Sequence, residues 1–282
     1  MATFKVTHFN TLIRRQTCKL IERLKLTLKQ ACSIESACRY NSDYLVHLLS
    51  TGNISSSDCK FLRLLSSLPN FRSAGLDARA ELLDTPLAPL QAKGGALHRS
   101  PHAAAHLSDF LRYVLLWRRG GVYLDSDVIV MKSLKGITNS VVYQGGNDSF
   151  VLANGILFFD KRHAVLEELI NKCASSYNPE WRITCGPGLM SMLPSDKKFS
   201  RQLKFINESA FFVVPWQEWE HLFNPEMAPV VLSAINTSYG VHFWNSLSET
   251  RRVVPGSGSA MDVLARTHCP RVYLEALYEG DF

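Results

Sequence analysis

What this sequence lacks narrows it first. Its seven cysteines (18, 32, 38, 59, 173, 185 and 269) include no CxxC pair and no zinc-ligand spacing, which argues against a thiolate metal site. No run of 18 apolar residues occurs, so no stretch reads as a membrane-spanning helix, and no signal peptide is read at the start. No lysine- and arginine-rich cluster interleaved with aromatics stands out. With a net charge of only +6, a nucleic-acid partner is not expected. That modest charge suits an anionic small molecule or a membrane surface instead. Internal repeats and low-complexity tracts are also absent. What the chain does have is size and apolar content: 282 residues, 46% of them hydrophobic, enough for a substantial core. Four Asn-x-Ser/Thr sequons, at Asn53, Asn147, Asn207 and Asn236, point toward an oxidising, lumenal compartment, with one of the seven thiols left over. That expectation stands against the missing signal segment.

Punctuation and periodicity predict alternating helices and strands. Residues 1–25 stand apart: "MATFKVTHF" alternates weakly and "IRRQTCKLIERLK" reads as a basic amphipathic helix. A helix over "LTLKQACSIESACRYN", a strand at "DYLVHLLS" and a helix near 57–67 come next, then a loop at "DTPLAPLQAKGG". A long helix over about 102–118 ends at Gly120-Gly121. Strands follow at "VYLD", "VLANGILFFD", "FFVVP" and "YGVHFWN", with helices near 162–176, 187–193 and 259–278. This alternation argues for an α/β fold with a mainly parallel sheet, residues 26–282 forming one domain.

The chemistry concentrates in "GGVYLDSDVIV", residues 120–130. "VYLD" is apolar enough for a central strand, and ligands of parallel sheets gather beyond the strands' carboxyl ends. Asp125 and Asp127 sit at that end. At spacing i, i+2 an extended segment turns both to one side, where two carboxylates suit a hard divalent cation. A turn or helix cap is the plainer alternative. Upstream, Asp109 and Arg112 share a helix face, as a surface ion pair or as a clamp on sugar hydroxyls.

These residues carry a resemblance. "LSDFLRYVLLWRRGGVYLDSDVIVMKSLKGITN" resembles the signature of DxD-motif glycosyltransferases, and more narrowly the lactosylceramide 4-alpha-galactosyltransferase family. "QACSIESACR", "DTPLAP", "VLANGILFFDKRH", "GPGLM", "PWQEWEHLFNPE", "YGVHFWN" and "HCP" match in order, from Leu26 to Tyr278. The resemblance implies a type A glycosyltransferase fold, with a single Rossmann-like, mainly parallel sheet flanked by helices. It implies a donor of UDP-galactose or UDP-N-acetylgalactosamine, a glycolipid acceptor, Mn2+, and a place on the lumenal side of the Golgi membrane. Membrane association is expected of the family. Metal contacts fall to Asp125, Asp127 and His242, although a lone histidine in an apolar strand is more often a core residue. Donor contacts fall to Ser108, Asp109, Arg112, Tyr123, Asn154 and Gly155. Gly186 and Pro187 become an acceptor-side loop rather than a plain turn, and Trp216, Trp219 and Trp244 acceptor candidates rather than core. "RVVPGSGS" is a lid over UDP or a surface turn.

The implied reaction retains the anomeric configuration and forms an alpha-1,4 linkage to a terminal galactose of a glycosphingolipid. Double displacement would need a carboxylate nucleophile, and no acid announces itself; Glu218 and Asp160 are the ones to test. Front-face attack, with the leaving phosphate taking the acceptor proton, needs only metal, clamps and positioning. Two departures weigh on this. The family's membrane anchor has no counterpart here, and the polar "ATFKVTHF" suits an edge better than the family's buried first strand. An incomplete or alternative amino terminus is the expectation that follows. A non-catalytic UDP-sugar-binding relative is the competing class. A metal-dependent phosphoesterase would call for a second metal cluster, which the sequence does not offer.

Overall fold

The computed structural model describes the main chain of residues 11–14 and residues 26–51, 59–145 and 151–279. Its strands are β1 (Thr11–Arg14), β2 (Val46–Ser50), β3 (Phe71–Gly75), β4 (Gly121–Asp125), β5 (Val128–Val130), β6 (Ser140–Tyr143), β7 (Leu152–Phe159), β8 (Lys204–Ile206) and β9 (Gly240–His242). Seven of them form one sheet in the order β3-β2-β1-β4-β7-β6-β8. Strands β3, β2, β1 and β4 run parallel, and β6 is parallel to β8, but β7 runs antiparallel to both β4 and β6. The sheet is mainly parallel, as expected, but mixed rather than purely parallel, because β7 runs against both of its neighbours. Too few residues separate β6 from β7 for a crossover, and the two pair antiparallel. Strands β5 and β9 form a separate antiparallel ribbon.

Both faces of the sheet are covered, as the apolar strands require. Along β4, Val122 and Leu124 face one core while Tyr123 faces the other. Along β7, Ala153, Ile156 and Phe158 alternate with Leu152, Leu157 and Phe159 in the same way. The first face packs against helix Leu28–Tyr40, which opens with a capping box between Thr27 and Gln30. The second packs against helix Ala103–Arg119. That helix stops at Gly120, whose φ of 70° disfavours a side chain and where a Cβ would meet the Lys161 nitrogen at 2.7 Å.

At the amino terminus the central place between β2 and β4 is taken by Thr11–Arg14. The basic helix expected from Ile13 onward thus gives way to strand at its first two residues; "ATFKVTHF" and the rest of that helix lie outside the described residues. "FFVVP" forms no strand. Its residues bend, and only the Phe211 carbonyl pairs with β9, accepting from the His242 N–H at 2.9 Å. The expected helix over 259–278 is two, Ala260–His268 and Pro270–Glu279, divided at Cys269-Pro270. Cys32 bonds Cys269, tying the first helix to this junction, and Cys173 bonds Cys185. Cys38 and Cys59 are free and buried. No helix among the described residues is long and apolar enough to cross a membrane.

Candidate active site

The site grows from the carboxyl end of β4. Asp125 is the last residue of that strand and shares its face with Tyr123, whose hydroxyl donates to Asp125 Oδ1 at 2.7 Å. Asp127 follows in a tight turn, after which the chain enters β5. The β5–β9 pairing sets Val128 opposite His242 and so brings a residue 115 positions downstream beside the turn. His242 Nε2 lies 3.3 Å from Asp127 Oδ1, and ligand atoms of Asp125, Asp127 and His242 all fall within 4.8 Å of one another. Directly after β9, Trp244 adopts left-handed backbone (φ 51°), rare for so bulky a residue. Its indole is held by a 2.9 Å bond to the Val214 carbonyl and by packing edge-on against His242. The sharp turn aims the Asn245 N–H at Asp127 Oδ2, 3.0 Å away.

A second constellation stands behind Asp125. Arg112 is fully buried and every branch of its guanidinium is engaged. Nε donates to the Ser108 carbonyl, one terminal nitrogen to the Asn154 carbonyl at 2.7 Å, and the other to Ser108 Oγ at 3.0 Å. It pairs with Asp109 at 3.1 Å and Asp125 at 3.5 Å, and lies over the Tyr123 ring. Asn154 donates to Asp109 Oδ1 at 2.8 Å. Two glycines admit this packing: a Cβ at Gly155 would meet Asp125 Oδ2 at 2.6 Å, and one at Gly186 would meet Asp109 Oδ2 at 2.9 Å.

The electrostatics follow from burial and partners. Burial alone would lower the Arg112 pKa, but Asp125, Tyr123 and Asp109 hold it above the ordinary guanidinium value. Burial raises the Asp125 carboxyl, and Asp127 adds to that, while Arg112 opposes both. Asp127 also resists burial, yet His242 and the Asn245 N–H bring it below the ordinary carboxylate value. Two carboxylate oxygens and an imidazole nitrogen at this spacing fit a divalent cation that accepts mainly oxygen ligands, such as Mn2+.

The expected residues therefore gather in large part. Asp109, Asn154, Gly155 and Gly186 converge beside the acidic pair, with Pro187 opening the short helix Pro187–Met190 next to it. Arg112 and Tyr123, expected at the donor, are wholly buried, and both contact Asp125. Trp244 is buried and braces His242. Trp216 is exposed, whereas Trp219 packs on Phe223 against the core. Glu218 is exposed and pairs with His221. Asp160 lies beyond the other end of β4, bonded to Asn139, far along the strand from Asp125. In "RVVPGSGS" the amides of Gly256 and Gly258 are taken by Asp262, which favours the surface turn over a lid. No side-chain pattern in the sequence announces the backbone amide of Asn245.

Comparison with known proteins agrees with this geometry. Residues 28–144 match the family described as glycosyltransferase sugar-binding region containing DXD motif, and residues 158–276 match the alpha 1,4-glycosyltransferase conserved region. Lactosylceramide 4-alpha-galactosyltransferase of Homo sapiens is 32% identical over 258 residues, covering 86% of this chain and 71% of that protein. Alpha-1,4-N-acetylglucosaminyltransferase of Homo sapiens is 28% identical over 278 residues, covering 91% and 78%. Among solved structures, the bifunctional glycosyltransferase WbbM superposes with a TM-score of 0.58 at 12% identity, over 99% of this chain and 52% of that one. The PaToxG glycosyltransferase superposes with a TM-score of 0.51 at 16% identity, over 68% and 72%. The fold is that of a type A glycosyltransferase, built here on a mixed sheet flanked by helices. The chain belongs to the lactosylceramide 4-alpha-galactosyltransferase family and is a UDP-sugar-dependent glycosyltransferase.

Proposed function

We propose that this enzyme transfers galactose or N-acetylgalactosamine from its UDP conjugate to a terminal galactose of a glycosphingolipid such as lactosylceramide. The product linkage is alpha-1,4, and the working place is the lumenal side of the Golgi membrane. The observation that carries the reading is the meeting of Asp125, Asp127 and His242 at the carboxyl edge of β4, with Asp109 and Asn154 alongside. One human relative is a 4-alpha- and the other an alpha-1,4-transferase, and residues 158–276 match the alpha 1,4-glycosyltransferase conserved region, which supports the linkage. N-acetylglucosamine, named in the second relative, is the competing donor sugar.

Asp125, Asp127 and His242 would hold Mn2+, which when bound neutralises charge on the departing diphosphate. Asp109 and Asn154, fixed to each other and backed by Arg112, are placed to orient the sugar hydroxyls. Their arrangement exists before substrate arrives, so little reorganisation accompanies binding. Retention then proceeds by front-face attack. Neither Asp160 nor Glu218 shares a hydrogen bond or ion pair with the cluster, and no nucleophile is needed if the acceptor hydroxyl passes its proton to the leaving phosphate.

Calorimetric titration of UDP with and without Mn2+ tests the donor site. Binding that requires both Mn2+ and Asp127 is expected, with Asp127→Ala abolishing it. Incubation of lactosylceramide with UDP-galactose, UDP-N-acetylgalactosamine or UDP-N-acetylglucosamine, followed by linkage analysis, then identifies the sugar. A folded chain that binds UDP but transfers none of the three would place it among non-catalytic relatives.

A further inference from the structure

Lys29 is a charge that the fold does not explain. Among the described residues it is the one buried lysine, 6% exposed. Burying an ammonium is strongly unfavourable unless it is paired. Yet among those residues no carboxylate lies within ion-pair distance of Lys29 Nζ. The nitrogen donates to the Ser248 carbonyl, stands 3.5 Å from Ser248 Oγ, and is flanked by the rings of Phe223 and Phe243 at 5.5 and 5.9 Å. An ammonium has three donors, so these contacts leave capacity unused. Position adds a second disadvantage. Lys29 stands in the first turn of helix Leu28–Tyr40, where the helix dipole favours acids, and that turn contains none. Burial pushes its pKa down to about 8, against the pull of Asp127 and Glu249.

Its surroundings say what would complete it. Ser248 closes the short helix Asn245–Ser248, whose first amide holds Asp127. Ser248 Oγ donates to the Phe243 carbonyl at 2.8 Å, and the Phe243 N–H donates to the Asp127 carbonyl at 2.9 Å. The ammonium is thus one short relay of hydrogen bonds from the arm that carries Asp127 and His242. Its field reaches the Asp127 carboxylate. The helix itself packs on β5, immediately after the acidic turn, through Ser36 Oγ and the Val130 N–H at 3.0 Å.

We propose that Lys29 is a donor-site cation whose ammonium, buried without an acid, neutralises the diphosphate of the nucleotide held at Asp125, Asp127 and His242. The proposal rests on the UDP-sugar reading of the site. It assigns to the first helix a positive charge that would add to that of the metal held by Asp125, Asp127 and His242.

Calorimetry on the full chain with Mn2+ tests it, using UDP, UMP and uridine as probes and Lys29→Met and Lys29→Arg as variants, each checked by thermal melting. Lys29→Met is expected to weaken UDP by roughly tenfold to a hundredfold, UMP less, and uridine not measurably. An unchanged preference for UDP over UMP in a folded Lys29→Met chain overturns the proposal. Equal losses for uridine and UDP overturn it too, since Lys29 would then serve only the fold. Should Lys29→Met melt below the assay temperature, Lys29→Gln takes its place, with Lys29→Arg as the charge-retaining control: a smaller preference for UDP over UMP in Lys29→Gln than in Lys29→Arg, with uridine binding intact, supports the proposal, and equal preferences refute it. A wild-type chain that binds no UDP removes the donor site itself, a failure visible before any variant is made.

Discussion

Arg112 shows how a single side chain organises this site. Its guanidinium touches no solvent and balances Asp109 and Asp125 at once. Removing it leaves two buried carboxylates without their shared cation, a loss of about 3–5 kcal/mol by analogy with broken buried pairs. Arg112→Met is therefore expected to lower the urea midpoint sharply, while a surface control such as Arg79→Met does not. A midpoint near wild type would mean that Asp109 and Asp125 protonate without consequence. Lysine is no substitute, because one ammonium cannot reach the Asn154 carbonyl and both oxygens of Ser108 together. The same crowding explains Gly155 and Gly186, where a methyl group would displace a carboxylate.

Among elements, the first and last helices form a structural pair. Glu35, buried in the first, accepts the N–H groups of Arg271 and Val272 and so caps helix Pro270–Glu279. The Cys32–Cys269 bond fastens the same contact across 237 residues of chain. Closing so long a loop restricts the unfolded chain, and its loss costs about 2–5 kcal/mol. A Cys32→Ala/Cys269→Ala double variant is expected to lose that much in denaturant unfolding. An unchanged midpoint would show that Glu35 and the apolar contacts suffice. The β5–β9 ribbon is the other decisive element, since its pairing sets His242 beside Asp127.

For the whole molecule, buried histidines predict how stability follows pH. Burial, then Arg39, pushes the His268 pKa from 6.5 down to about 4, and burial also lowers His47, His106 and His163. The folded state thus holds these rings neutral at pH values where the unfolded chain protonates them. Their contribution is complete above pH 6.5 and declines as pH falls toward 4. Thermal midpoints are expected to drop across that window, with a shallower slope in His268→Gln. A slope identical to wild type would show that His268 is protonated without strain.

The alternation of "VYLD" with long amphipathic helices was enough to determine an α/β chain, and local spacing was enough to nominate Asp125 and Asp127, with Asp109 and Arg112 on one helix face; Asn154, Gly155 and His242 came only with the family resemblance. Local signals sufficed there because strand burial, helix periodicity and glycine stops act over a few residues. The tertiary structure alone decided the rest. The antiparallel pairing of β7 with β4 made the sheet mixed; the place of His242 depended on pairing between segments over a hundred residues apart. Burial set Arg112 and Tyr123 against Asp125, a contact that no linear motif specifies. It also enclosed Lys29, whose charge has meaning only once its neighbours, and the acids missing from among them, are known. Which atoms meet across the fold is a property of long-range packing, and a linear pattern does not encode it one residue at a time.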